Sequence, residues 1–200
     1  MQYYVQRFSS AALLSFVLSA CGGGGGESTG QDVATVAIQN QAVISQQSLS
    51  DEQVSQSDCQ LTILDEKVLE AVNTARSEAR FCGDNFYEAV DPVSWSCTLK
   101  RAAQGHSEDM GENNFFSHTG SDGLRVSHRV DDVDYDWMMV GENIAAGFNS
   151  AGAVVNGWLN SPGHCATVMN PAYTETATAL HLPLGSDYST YWTMIMAKPL

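Results

Sequence analysis

In this chain of 200 residues the groups able to do acid–base or metal chemistry are five histidines and a surplus of acids, 23 Asp and Glu against 9 Lys and Arg. Two of them stand out by placement. Glu142 lies in the run Val140-Gly141-Glu142-Asn143-Ile144-Ala145, where strand alternation puts 140, 142 and 144 on one side. One carboxylate between two apolar neighbours requires a partner. His164 follows Ser161-Pro162, which reads as the N-cap and first position of a short helix. An imidazole in that first turn meets the positive end of the helix dipole, which favours the neutral ring able to ligate a metal. Two neutral imidazoles and one carboxylate form a three-ligand set with a coordination position left open to water, as in catalytic zinc sites. No His-Glu-x-x-His helix is present.

The formal net charge of -14 leaves no basic cluster able to neutralise a run of phosphates, so nucleic acid is not expected as a partner. Residues 1–20, with Arg7 ahead of the apolar run 11–20, have the build of a secretory signal, and that run is too short to span a bilayer. It ends in Leu18-Ser19-Ala20-Cys21, which resembles a bacterial lipobox and implies a lipid anchor at Cys21. Gly22 in the next position implies sorting to the outer membrane, facing the periplasm or the cell surface. Residues 21–58 open with a glycine run, are rich in Gln and Ser, and contain no aromatic residue. Such a composition builds no core and reads as a flexible tether with a reach of roughly 35 Å. Of the five cysteines, Cys59, Cys82, Cys97 and Cys165 then remain. In an exported chain an even number without CxxC spacing reads as two disulfides, with three pairings open.

A folded domain is expected over 59–200, long enough for one real core. Leu61, Leu64, Val68, Ala71, Val72, Ala75 and Ala79 recur at three and four, with Thr62 and Asp65 as an N-terminal capping pair. A loop punctuated by Cys82-Gly83 and Asp91-Pro92 follows. Leu99, Ala102, Ala103, His106 and Met110 share the inward face of a second helix that ends near 111–114, and Asp109 lies three residues after His106. His106 therefore reads as a buried structural histidine, the alternative being that it joins Asp109 in a polar hydrogen-bond network, and His128 and His181 read as surface residues. A short third helix is expected over 124–130, a strand over 140–145, a helix over 151–160 with Val154, Val155 and Trp158 inward, and closing strands over 176–182 and 191–197. Helices first and strands last make an α+β fold with an antiparallel sheet.

The ordered set of motifs resembles the CAP superfamily, named for cysteine-rich secretory proteins, antigen 5 and plant pathogenesis-related proteins. The pieces are Asn73-x-x-Arg76, Ala102-Ala103-x-x-His106-Ser107-x-Asp109-Met110, Phe115-Phe116-Ser117-His118 and Gly141-Glu142-Asn143-Ile144-Ala145. They continue with Trp158-x-x-Ser161-Pro162-Gly163-His164, Met169-Asn170-Pro171 and Tyr191-Trp192. The resemblance implies a three-layer α-β-α sandwich with a small antiparallel sheet and a cleft at one side. It implies a cleft lined by His118, Glu142, His164 and Ser161, with a divalent metal such as zinc on His118, His164 and Glu142. Ser161 stands where animal members often carry a glutamate, and a neutral hydroxyl does not replace that charge. The resemblance also implies that Cys82 bonds Cys165, and Cys59 then bonds Cys97.

The expected role is binding rather than catalysis: a membrane-anchored module holding a small apolar or lipid ligand, or a protein partner, in the cell envelope. The alternative is a metal-dependent or His/Glu-based hydrolase acting on peptide or envelope polymer, with His118 or His164 as base.

Overall fold

A computed structural model describes residues 60–200. The expectations for the signal, Cys21, the tether and Cys59 fall outside these residues. The first helix, α1 (Ile63–Arg76), opens on the expected pair: Thr62 accepts from the Asp65 backbone while the Asp65 carboxylate accepts from the Thr62 backbone, a complete capping box. The helix stops before Ala79 because Arg80 enters a hairpin. Strands β1 (Arg80–Cys82) and β2 (Asn85–Tyr87) pair antiparallel around Gly83, whose φ of 64° suits glycine. The sequence reading makes this stretch a loop; strands of three residues are too short to display alternation.

The remaining elements are β3 (Ser94–Trp95), α2 (Cys97–Glu112), α3 (Val126–Asp131), β4 (Trp137–Ala146), α4 (Ala151–Leu159), α5 (Pro162–Val168), β5 (Glu175–His181) and β6 (Tyr191–Pro199). The main sheet has the order β3-β5-β6-β4. β6 pairs antiparallel with β4, Glu142 opposite Ile195, and with β5, Thr178 opposite Met194. At the far edge β3 runs parallel to β5, an exception to the antiparallel sheet expected from the order of elements.

Alternation along β6 divides the core. Trp192, Met194 and Met196 join the cluster made with Val68 and Val72 of α1, Val155 and Trp158 of α4, and Val168 of α5. Ile195 and Ala197 join the cluster of Leu99, Ala102 and Ala103 from α2 and Val130 from α3. The sheet is therefore covered on both faces, the α-β-α sandwich implied by the resemblance, and its central strand is buried along almost its whole length.

Two polar side chains on α1 tie that helix to the chain around it. The Asn73 amide donates to the Val93 carbonyl at 3.0 Å and accepts from its N–H at 2.9 Å, imitating a strand partner beside β3. Arg76 is fully buried and donates to four carbonyls, those of Asp91, Val168, Asn170 and Tyr173, at 2.6 to 3.2 Å. The hydrogen bonds offset the cost of burying its charge. Cys82 and Cys165 form a disulfide across 83 residues that joins β1 to α5. Cys97 is also disulfide-bonded.

Because the Cys82–Cys165 link closes a long loop, the double variant Cys82→Ala/Cys165→Ala should lose about 2 to 4 kcal/mol of stability. Urea unfolding with a constant m-value measures this, and an unchanged midpoint would contradict it.

Candidate functional site

Strand β4 sets the centre. Its even positions face α2 and α3, with Val140 against the α2/α3 cluster and Ile144 against Met110. Glu142 shares that side, and its carboxylate is 3% exposed. His118 Nδ1 lies 2.7 Å from Oε1, and an Arg129 guanidinium nitrogen lies 2.7 Å from Oε2. His106 comes to 3.9 Å of Oε1 while its Nε2 meets the Ser117 carbonyl at 3.0 Å. Burial alone would push the acid up, but the His118 hydrogen bond and the charges of His106 and Arg129 outweigh it and hold the acid below its ordinary range. An ionised carboxylate only accepts, so His118 carries its proton on Nδ1. By the same logic the Ser117 carbonyl fixes the His106 proton on Nε2.

The loop after α2 brings His118 in. Asp109 anchors its far side, accepting from the Ser121 hydroxyl at 2.5 Å and the Ser121 N–H at 2.9 Å. Arg129, reaching from α3, donates to the His118 carbonyl at 3.1 Å and to the Leu124 carbonyl at 3.2 Å. His118 is consequently held through both its ring and its backbone.

His164 enters from the other layer. It lies in the first turn of α5, where the buried Ser161 is the N-cap and makes no side-chain cap bond. Asn143, one position along from Glu142 and on the opposite side of β4, donates to the His164 carbonyl at 3.0 Å. Glu-Asn in adjacent positions thus serves two layers at once. His164 is 5% exposed, and burial, followed by the charge on His118, lowers its pKa to about 4. Its ring is neutral at neutral pH, for reasons of burial and a neighbouring charge rather than the helix start. Gly141 completes the motif: a Cβ there would collide with the Tyr173 hydroxyl.

The sequence reading is revised at Arg129 and His181. Arg129 has no role in it, yet this side chain supplies half of the partnership that the buried acid requires; residue spacing does not reveal which cation reaches a given carboxylate. His106 is fully buried in the core stripe as expected, and it also adjoins Glu142. Of the two histidines read as surface residues, His128 is exposed, whereas His181 is partly buried and pairs with Glu112 at 2.7 Å.

The donors do not present an open metal set. Each Glu142 oxygen is already engaged, one of them by a cation. Among the described residues no group of three or more His, Cys, Asp or Glu side chains is arranged to hold a metal ion. What the arrangement offers is a fixed imidazole–carboxylate–guanidinium row beside a neutral imidazole.

The Cysteine-rich secretory protein family (CAP) model matches residues 69–196. The chain belongs to that family. It is 38% identical over 99 residues to the Bacillus subtilis (strain 168) membrane protein YlbC, covering 50% of this chain and 27% of that one. To YkwD of the same organism it is 28% identical over 111 residues, covering 56% and 40%. It thus spans well under half the length of these relatives. Among solved structures, an extracellular protein containing a SCP domain from Bacillus anthracis aligns with a TM-score of 0.56 and 25% identity, over 67% of this chain and 40% of that one. An outer surface protein from Borrelia burgdorferi aligns at 0.52 and 19% identity, over 68% and 95%, a likeness of fold.

Acid should destabilise the domain in a defined window. A histidine with an ordinary pKa near 6.5 when unfolded and about 4 when folded takes up its proton first in the unfolded state. Stability therefore falls as pH drops from 6.5 toward 4, by roughly 2 to 3 kcal/mol from this group. Glu142, depressed in the fold, adds a loss as pH falls through its own lowered value. Urea unfolding at pH 7 and pH 4.5 should show a clearly smaller difference in His164→Gln than in the wild type; equal differences would refute the assignment.

Proposed function

We propose that this CAP domain is an exported, membrane-tethered binding module that holds a small apolar or lipid ligand, or a protein partner, in the cleft beside His118, Ser161 and His164. The observation that carries this reading is the commitment of Glu142: both carboxylate oxygens are held, at 2.7 Å each, by His118 and Arg129. An acid so engaged is a fixed wall of a site rather than a free proton carrier. Export and surface location draw support from the extracellular and outer-surface character of the two structural neighbours and from the membrane protein YlbC. Residues 1–20 would serve as the signal, Cys21 as the lipid anchor and 21–58 as the tether.

Native mass spectrometry of protein extracted from its own membranes should show a retained mass beyond the polypeptide and its anchor. Repeated recovery of bare protein would count against the ligand. Cys21→Ser should move the protein from the membrane to the soluble fraction, and continued membrane retention would remove the lipid anchor from the reading.

One observation favours a second reading, the hydrolase. A histidine whose Nδ1 proton rests on a buried carboxylate is oriented as general bases commonly are. It requires turnover of peptide or envelope polymer that vanishes in both His118→Ala and His164→Ala while melting temperatures stay near the wild type. Retained turnover in either variant excludes that mechanism.

A further inference from the structure

We infer that Arg129 takes the place of a divalent cation in this site: it is the fixed counter-charge of Glu142 and the positioning residue for His118, so that the polar centre works without metal. A buried ionised carboxylate demands compensation from hydrogen-bond donors and positive charge. With His and Glu donors a bound metal is one way to provide it. Here the charge is built into the chain. The Arg129 side chain is 11% exposed, Glu142 is 3% exposed, and the two meet at 2.7 Å. The nitrogen that meets Glu142 also donates to the His118 carbonyl at 3.1 Å, so one cation fixes the acid and the backbone of its histidine partner together.

The same contact works against metal. A divalent ion shared by Glu142 and the imidazoles would sit beside a permanent guanidinium in a poorly solvated site, where like charges repel strongly. It would also compete with the arginine and His118 Nδ1 for the carboxylate's lone pairs. Arg129 is thus both the compensating charge and the obstacle. The inference is independent of the ligand in the cleft, and the zinc measurements below fail or succeed separately from the search for a retained mass.

The test uses the full chain and zinc as the probe. Elemental analysis and calorimetric titration of the wild type should find no stoichiometric zinc, and neither zinc nor a chelator should move its melting temperature. Arg129→Ala, which uncovers Glu142, should melt lower than the wild type and then gain several degrees on addition of zinc. The double variant Arg129→Ala/Glu142→Gln should lose that gain, and Arg129→Lys, which keeps a cation, should remain indifferent to zinc. An arginine that served only the packing of α3 would lower the melting temperature without creating a zinc response. Should Arg129→Ala be unfolded on its own, zinc is expected to restore its circular dichroism. Stoichiometric zinc in the wild type that is lost in His118→Ala or Glu142→Gln overturns the inference, and so does an Arg129→Ala chain that zinc neither stabilises nor refolds.

Discussion

A carboxylate removed from water on the middle of a strand is the constraint around which the site is organised. Glu142 cannot stay ionised in the α2/α3 face of the sheet unless donors reach it from outside β4. They come from two places in the chain, the loop after α2 with His118 and α3 with Arg129, while His106 of α2 stands near at 3.9 Å with its own Nε2 proton on the Ser117 carbonyl. The same elements also pack on β4, Val140 in the cluster of Val130 and Ile144 against Met110, and the Trp137 indole donates to Asp131 of α3, so the carboxylate adds a polar junction to an apolar one. The short α3, six residues long and without a side-chain cap, is an element whose placement owes much to such a contact.

The opposite layer is organised by neutral acceptors instead. Arg76 directs its guanidinium to four carbonyls at the ends of loops, and Asn73 its amide to the backbone of Val93. These bonds satisfy backbone groups that no strand or helix reaches, which is what permits irregular chain to be buried at all. The Cys82–Cys165 link and the Asn143 contact then carry the order of this layer to α5. His164 is therefore presented by a covalently and hydrogen-bonded short helix, while His118 is presented by an ion pair. The two histidines are thus held by different physics on opposite layers of the sheet.

Membership of the CAP family accounts for the order of the motifs along the chain. Ser161 caps a helix without offering charge, and a guanidinium stands against Glu142. Both features leave Glu142 with its charge already matched from within the chain.

Much of this was legible in the sequence. Apolar residues at three and four marked α1 and α2, Thr62 with Asp65 marked a helix start, and the alternating residues at 176–182 and 191–197 marked β5 and β6, because those signals are local and repeat within one element. The need of Glu142 for a partner was also legible, since it follows from one residue and its two neighbours. The identity of the partner was not. Arg129 lies 13 residues away, and its choice depends on where α3 packs. The β1–β2 hairpin and the parallel pairing of β3 with β5 escaped for a related reason: two or three residues carry too little pattern, and what holds them is tertiary, the Phe81–Phe86 ring pair and the disulfide for the hairpin, Asn73 and the Thr174 carbonyl beside β3. Local periodicity and composition therefore determined which segments are helices and strands and where a buried charge would sit. Only the tertiary structure decided what neutralises that charge, because ion pairing is selected by distance in space, which no spacing along the chain encodes.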